Sequence, residues 1–104
     1  MSATQASAPV PLPVLFKFRM YITGDTQNSL EAVANLTSLC RTYLPDRHEI
    51  ELVDISLNPQ RALTDGIFMT PTLIKLAPAP TRMIVGTLSK RNPVLQALGL
   101  NASP

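Results

Sequence analysis

The sequence predicts an α/β fold in which a mixed four-stranded sheet carries three helices, in the order βαβαββα. Three observations lead there. Two apolar, strand-like runs are each followed by a capped helical stretch, and two strand-helix units in succession imply a parallel pair of strands. A proline opens a third apolar run at Thr70-Pro71-Thr72-Leu73-Ile74. A Pro-rich turn, Ala77-Pro78-Ala79-Pro80, then feeds a fourth run placed to pair antiparallel with the third.

The first strand is set by alternation. Phe16, Phe18, Met20 and Ile22 alternate with Lys17, Arg19 and Tyr21, a period of two that buries one face of a strand. Gly24-Asp25 is a turn, and Asn28 stands three residues before Glu31 as a cap for a helix starting at Ser29. Leu30, Val33, Leu36, Thr37, Cys40, Tyr43 and Leu44 recur at helical steps and form its apolar stripe, which Pro45 ends.

The second unit repeats this logic. Glu49 to Ile55 alternates and then turns apolar, as expected of a strand covered at one end. Asn58-Pro59 supplies a cap and a proline at the first helical position, and Gly66 a stop, so a short helix is predicted over Pro59 to Asp65. The third strand spans Thr72 to Leu76 and the fourth Arg82 to Val85, with a last helix after Gly86. This order is the thioredoxin-like arrangement. In that fold a cis bond is expected at Pro71, since an X-Pro peptide takes the cis form at modest cost.

At 104 residues the chain buries roughly 60 to 70 per cent of its unfolded surface, enough for one core. Residues 1–14 are rich in Ala, Ser and Pro and are expected to form a disordered arm; the domain runs over 15–100, and 101–104 is a short tail. The arm lacks a basic start and a continuous apolar segment, so it is not a secretory signal. The apolar runs are too short to span a bilayer; the single cysteine excludes an internal disulfide, and a reducing cytoplasmic setting is expected. Nine basic and seven acidic residues leave a net charge of +2, scattered along the chain, which gives no footprint for nucleic acid.

The chemistry of a redox domain is absent from the loop where it belongs. A thiol at a helix N-terminus is acidified there, but the loop reads Gly24-Asp25-Thr26-Gln27-Asn28. The single cysteine, Cys40, lies on the apolar stripe, where a thiol acts as a small hydrophobe. His48 is the only histidine and is expected at the surface, so no zinc set can be assembled. Asp54 ends the second strand as a lone carboxylate, a weak catalytic signal. The four glycines are dispersed singly, without a phosphate-cradling loop. These features point away from an enzyme, and no cofactor or metal is expected.

A set of short motifs carries a specific resemblance. Tyr21-Ile22-Thr23-Gly24-Asp25-Thr26, Asn28-Ser29, Val53-Asp54-Ile55, Asn58-Pro59-Gln60, Thr70 to Lys75, Pro78 with Pro80, Arg82, Val85-Gly86 and Leu88-Ser89 resemble the KaiB circadian-clock family. The resemblance runs from about Phe16 to Leu98. It implies a non-enzymatic protein that binds the ring of KaiC, a hexameric ATPase and autokinase, and modulates its phosphorylation cycle. It also implies a choice between two folds: the thioredoxin-like one, and a ground-state βαββααβ form that self-associates as a tetramer, so a homo-oligomer is an open alternative. A related thioredoxin-like domain senses KaiC at the front of a clock histidine kinase. By this resemblance, Gln60, Arg61, Asp65, Lys75 and Arg82 are the candidate contacts to KaiC, with Lys75 equally suited to a plain solvent-facing position on its strand.

Departures from the family pattern matter as well. Glu31 and Glu51 stand where the family carries basic residues, in a region linked to the third clock component, KaiA. These sign reversals turn attraction into repulsion for the same acidic partner and weigh against KaiA binding. The triple proline is broken to Pro78-Ala79-Pro80, and Met83 replaces a second arginine. Ala97 replaces a glycine and Gly99 an aspartate; alanine favours helix over glycine by about 1 kcal/mol. Pro93 denies a ladder hydrogen bond to any central strand, and Asn92-Pro93 repeats the helix-start pattern of Asn58-Pro59. Pro93, Ala97 and Gly99 are therefore expected to bias the chain toward the thioredoxin-like form. Three function classes follow: a KaiC-binding clock protein, a redox protein that would need Cys40 exposed and reactive, and a regulatory subunit for an unrelated partner.

Overall fold

The computed structural model describes residues 14–100. The arm over 1–14, apart from the exposed Val14, and the tail over 101–104 lie outside the described residues. Seven elements follow one another: β1 (Phe16–Ile22), α1 (Gln27–Tyr43), β2 (His48–Asp54), α2 (Pro59–Thr64), β3 (Thr72–Ala77), β4 (Arg82–Val85) and α3 (Arg91–Leu98). The strands form one sheet in the order β2-β1-β3-β4. β1 pairs parallel with β2, and β3 pairs antiparallel with both β1 and β4. This is the thioredoxin-like arrangement, with a helix and not a strand across Val94 to Leu98.

The sheet has a buried cluster on each face. Phe16, Phe18, Met20 and Leu73 pack with Ala32, Leu36, Leu39 and Cys40 of α1 and with Val94, Leu95 and Leu98 of α3. On the opposite face, Tyr21, Val53 and Ile74 pack with Ala62 of α2. Alternation along β1 assigns Tyr21 to the polar side. There the structure differs, because α2 covers that end of the strand and leaves Tyr21 fully buried.

Several boundaries shift for local reasons. α1 begins at Gln27, ahead of the expected Ser29, because Thr26 is the cap that accepts a hydrogen bond from the Ser29 backbone N–H at 3.3 Å. Ser29 is itself buried, its Oγ accepting from the Thr23 N–H at 3.0 Å. The buried stripe runs through Ala32, Leu36, Leu39 and Cys40, whereas Leu30 and Thr37 are exposed. Asn58 makes no side-chain cap to α2, and its Nδ2 bonds the Asp54 carbonyl instead. α3 starts at Arg91, so Asn92 does not cap it and Pro93 sits inside the first turn, where its missing N–H has no helical partner to lose. Gly99 closes α3 at φ 77°, a left-handed position that glycine fills without strain. The Thr70-Pro71 bond is cis.

Candidate functional site

The strongest grouping of functional side chains lies where α2 crosses β1 and β2. Arg19 and Glu51 are register partners on the parallel strands and therefore share a face. Arg19 Nε donates to Glu51 Oε1 at 2.9 Å and Arg19 Nη1 to Asp65 Oδ2 at 3.0 Å. Arg61 Nη1 reaches the other oxygen of Glu51 at 2.7 Å. The Tyr21 hydroxyl donates to Asp65 Oδ2 at 2.5 Å and lies 3.0 Å from the Arg61 carbonyl oxygen. Two guanidiniums, two carboxylates and one phenol thus close a network over a shallow groove of about 290 Å³, lined by Arg19, Tyr21, Gln60, Arg61, Thr64 and Asp65.

The electrostatics follow from these bonds. Hydrogen bonds from Arg61 and then Arg19 hold the Glu51 carboxyl at about 2. The Tyr21 hydroxyl, followed by Arg19, pulls Asp65 below the usual carboxylate range. Burial and the neighbouring Asp65 raise Tyr21 in turn. Within the network the two guanidinium charges are thus matched by the two carboxylates.

The candidate contacts fall into separate places. Gln60, Arg61 and Asp65 are brought together at this groove. Arg82 is exposed on the edge strand β4, as the cross-strand partner of Lys75. Directly opposed residues point to the same face of a sheet, and Lys75 points toward α3, so Arg82 opens on the side away from α2. Lys75 corrects the sequence expectation outright: it is only 3% exposed, with Nζ 3.4 Å from the Leu98 carbonyl oxygen. Its parity with Leu73 on β3 placed it under the C-terminal helix, a signal masked in the sequence by the continuous apolar run around it. Glu31 is exposed on α1, while Glu51 is engaged by its two arginines.

Other candidates resolve simply. Cys40 is fully buried, and desolvation pushes its thiol up to about 11. Asp54 is partly exposed and accepts from the Ser56 hydroxyl at 2.6 Å and the Ser56 N–H at 2.9 Å, bonds that lower its pKa. His48 lies within β2, its Nδ1 2.7 Å from the Leu44 carbonyl oxygen. Among the described residues no cluster of three His, Cys, Asp or Glu side chains could hold a metal ion, and no helix is long and apolar enough to cross a membrane.

Sequence reasoning missed Arg19 as a groove residue and the exposure of several apolar side chains nearby in the chain. Arg19 and Thr64 line the groove, and Leu63, Phe68 and Met69, on α2 and in the loop after it, are exposed, Phe68 by 95%. Phe68 follows Gly66-Ile67 in a stretch where Ile67 packs into the α2-side cluster, so the chain turns one apolar side chain in and the next two out.

Comparison with known proteins bears on the family and the fold. A family model described as the KaiB domain matches residues 19–100. The Synechocystis sp. protein named circadian clock protein KaiB3 is 42% identical over 86 residues, covering 83% of this chain and 82% of that protein. The circadian clock oscillator protein KaiB of Cyanothece sp. is 37% identical over 90 residues, 86% of each chain. Among solved structures, the N-terminal domain of Synechococcus elongatus SasA superposes with a TM-score of 0.68 at 15% identity, covering 97% of this chain and 99% of that one. Chloroplastic thioredoxin z gives a TM-score of 0.68 at 15% identity, with 82% and 76% covered. These two share the fold.

Proposed function

This chain belongs to the KaiB family, and from that premise we propose that it is a non-enzymatic clock protein that binds a KaiC-type hexameric ATPase and modulates its phosphorylation cycle. The observation that carries the proposal is the extent of the family match, residues 19–100, which spans the folded domain from β1 through α3. The scaffold serves here as a docking surface. Its only thiol is buried on the core side of α1, which argues against a redox reading.

The docking face is the α2 side: Gln60, Arg61 and Asp65 line its groove, and Leu63, Phe68 and Met69, on α2 and in the loop after it, are exposed. Aromatic and arginine side chains in such a setting are typical anchors of protein interfaces. Pull-down with purified KaiC-type ATPases tests this. Arg61→Ala is expected to weaken binding at least about fivefold, and Arg82→Ala, on the other face, to weaken it less. The reverse order would move the docking face to the β4 edge. Absence of binding to every KaiC-type ATPase would sink the proposal in favour of a regulatory subunit for an unrelated partner.

A further inference from the structure

β4 stands last in the sheet order β2-β1-β3-β4, so its outer side meets no other strand among the described residues. The register decides which of its backbone groups face outward. Gly86 donates its N–H to the Pro71 carbonyl at 2.9 Å, which sets Gly86, and at steps of two Ile84 and Arg82, among the residues that bond toward β3. Met83 and Val85 therefore turn their N–H and C=O groups to the open side. None of these four groups enters a backbone bond outside the ladder among the described residues. The strand, Arg82-Met83-Ile84-Val85, holds no proline, lysine or bulge of the kind that blunts an edge.

The side chains around this edge set what fits it. Ile84 opposes Leu73 and Arg82 opposes Lys75, so both lie on the α3 face of the sheet. There Ile84, Leu88, Lys90, Pro93 and Val94 line a groove of about 220 Å³ between β4 and the start of α3. Met83 and Val85 lie on the other face, half-exposed. Arg82 and Lys90 are exposed, and neither forms an ion pair among the described residues.

We propose that β4 receives an extended acidic peptide of a partner protein as a fifth, antiparallel strand. Ladder bonds form across Met83 and Val85, and the peptide residue between them stands opposite Ile84, over the groove. Alternation sends the peptide residues one step beyond the two ladder positions to that same face, so carboxylates there meet Arg82 at one end of β4 and Lys90 at the other. The recognised pattern is one acidic residue, three apolar residues and a second acidic residue. Charge decides against two other occupants. Residues 1–13 of this chain contain no Asp or Glu, and Pro9, Pro11 and Pro13 lack an N–H; a second copy of β4 brings another Arg82 and no carboxylate. The edge shares no residue with the groove of Gln60, Arg61 and Asp65, so its occupancy is independent of the α2-side docking.

The experiment titrates the full, isotope-labelled chain with a capped synthetic peptide, Ser-Asp-Val-Leu-Val-Glu-Ser, and follows the backbone amides by NMR. Saturable shifts centred on Met83 and Val85 are expected, with hydrogen exchange of those two amides slowed at least about tenfold. Lysine in place of the peptide's Asp and Glu is expected to weaken binding at least about fivefold. N-methylation of both peptide valines removes the N–H groups that face β4 and is expected to weaken binding about tenfold or more, whereas N-methylation of the leucine, whose N–H faces away, is tolerated. The double variant Arg82→Gln, Lys90→Gln is expected to lose about fivefold in affinity, with the loss shrinking at high salt. No binding at millimolar peptide, shifts centred on Gln60 to Asp65, or equal losses from the valine and leucine methylations would overturn the proposal. Peptide that instead splits a dimer of the chain would overturn it too, because the edge would then belong to a second copy.

Discussion

Glu51 is the residue through which strand and helix speak to each other, because its two oxygens hold Arg19 of β1 and Arg61 of α2 at 2.9 and 2.7 Å. These bonds lower its carboxyl from an ordinary 4.5 to about 2. A carboxylate depressed on folding stabilises the native state above its unfolded pKa and loses that contribution as pH falls through the folded value. The advantage of wild type over Glu51→Gln is therefore full at neutral pH, shrinks below 4.5 and is gone near 2. Its size is small, under about 1 kcal/mol, because the Glu51 side chain is 45% exposed and water and salt screen the pair. Urea melts of both proteins across that pH range check it; a constant gap at all pH values would show that the bonds carry no charge-dependent stability. Cys40 gives a second prediction at this scale. With the thiol fully buried and raised to about 11, a thiol reagent at neutral pH is expected to react only as fast as the protein opens, and full reactivity in denaturant. Rapid labelling of the folded chain would revive the redox class. The place of Cys40 was legible from its spacing along the helix. Glu51 was legible only as a sign reversal, since nothing in a linear sequence says that two arginines from separate elements will neutralise it.

Among the elements, α3 shows most clearly how local sequence and packing divide the work. It spans only Arg91–Leu98, too short to persist alone in water, so its helicity rests on the burial of Val94, Leu95 and Leu98 and on its cap. Gly99 at φ 77° supplies the left-handed turn after the last helical residue. Ala97 lies inside the helix, where glycine would release backbone freedom. Ala97→Gly is expected to cost about 1 kcal/mol, and Gly99→Asp about 1 kcal/mol through the left-handed φ. Thermal unfolding by circular dichroism measures both. Equal stability of Ala97→Gly and wild type would mean that residue 97 does not bias the fold. Helix formation and helix docking are distinct here: Ala97 and Gly99 favour the former, while the burial of Val94, Leu95 and Leu98 supplies the latter. The sequence placed a last helix after Gly86 with Asn92-Pro93 as its start pattern, and missed the start at Arg91 because Lys90 precedes it without a side-chain cap. The same failure moved the start of α1, where two polar residues, Thr26 and Asn28, both suit a cap and only the turn at Gly24, at φ 46°, brings Thr26 into place.

For the whole molecule, the element order was readable because each strand-helix unit carries its own period and its own stop. The assignment of faces was not. Alternation tells which residues of a strand lie together, and it does not tell which helix covers them, so Tyr21 and Lys75 were both placed toward solvent and both proved buried. That division of faces also bears on assembly. In the thioredoxin-like form α3 gives Val94, Leu95 and Leu98 to the same cluster as Phe16, Phe18 and Met20. A form with a strand across this segment must remove those three side chains from the core and accept Pro93 next to a strand that it cannot serve with a hydrogen bond. Self-association then has to bury at least as much apolar surface elsewhere, at about 25 cal/mol per Å². The chain is accordingly expected to be a monomer by native mass spectrometry at micromolar concentration, with α3 amides protected as a helix. A stable tetramer with a strand over Val94 to Leu98 would show that the family's other fold wins in solution. In that case Ala97→Gly should increase the tetramer fraction further, because it removes helix preference at the segment that changes.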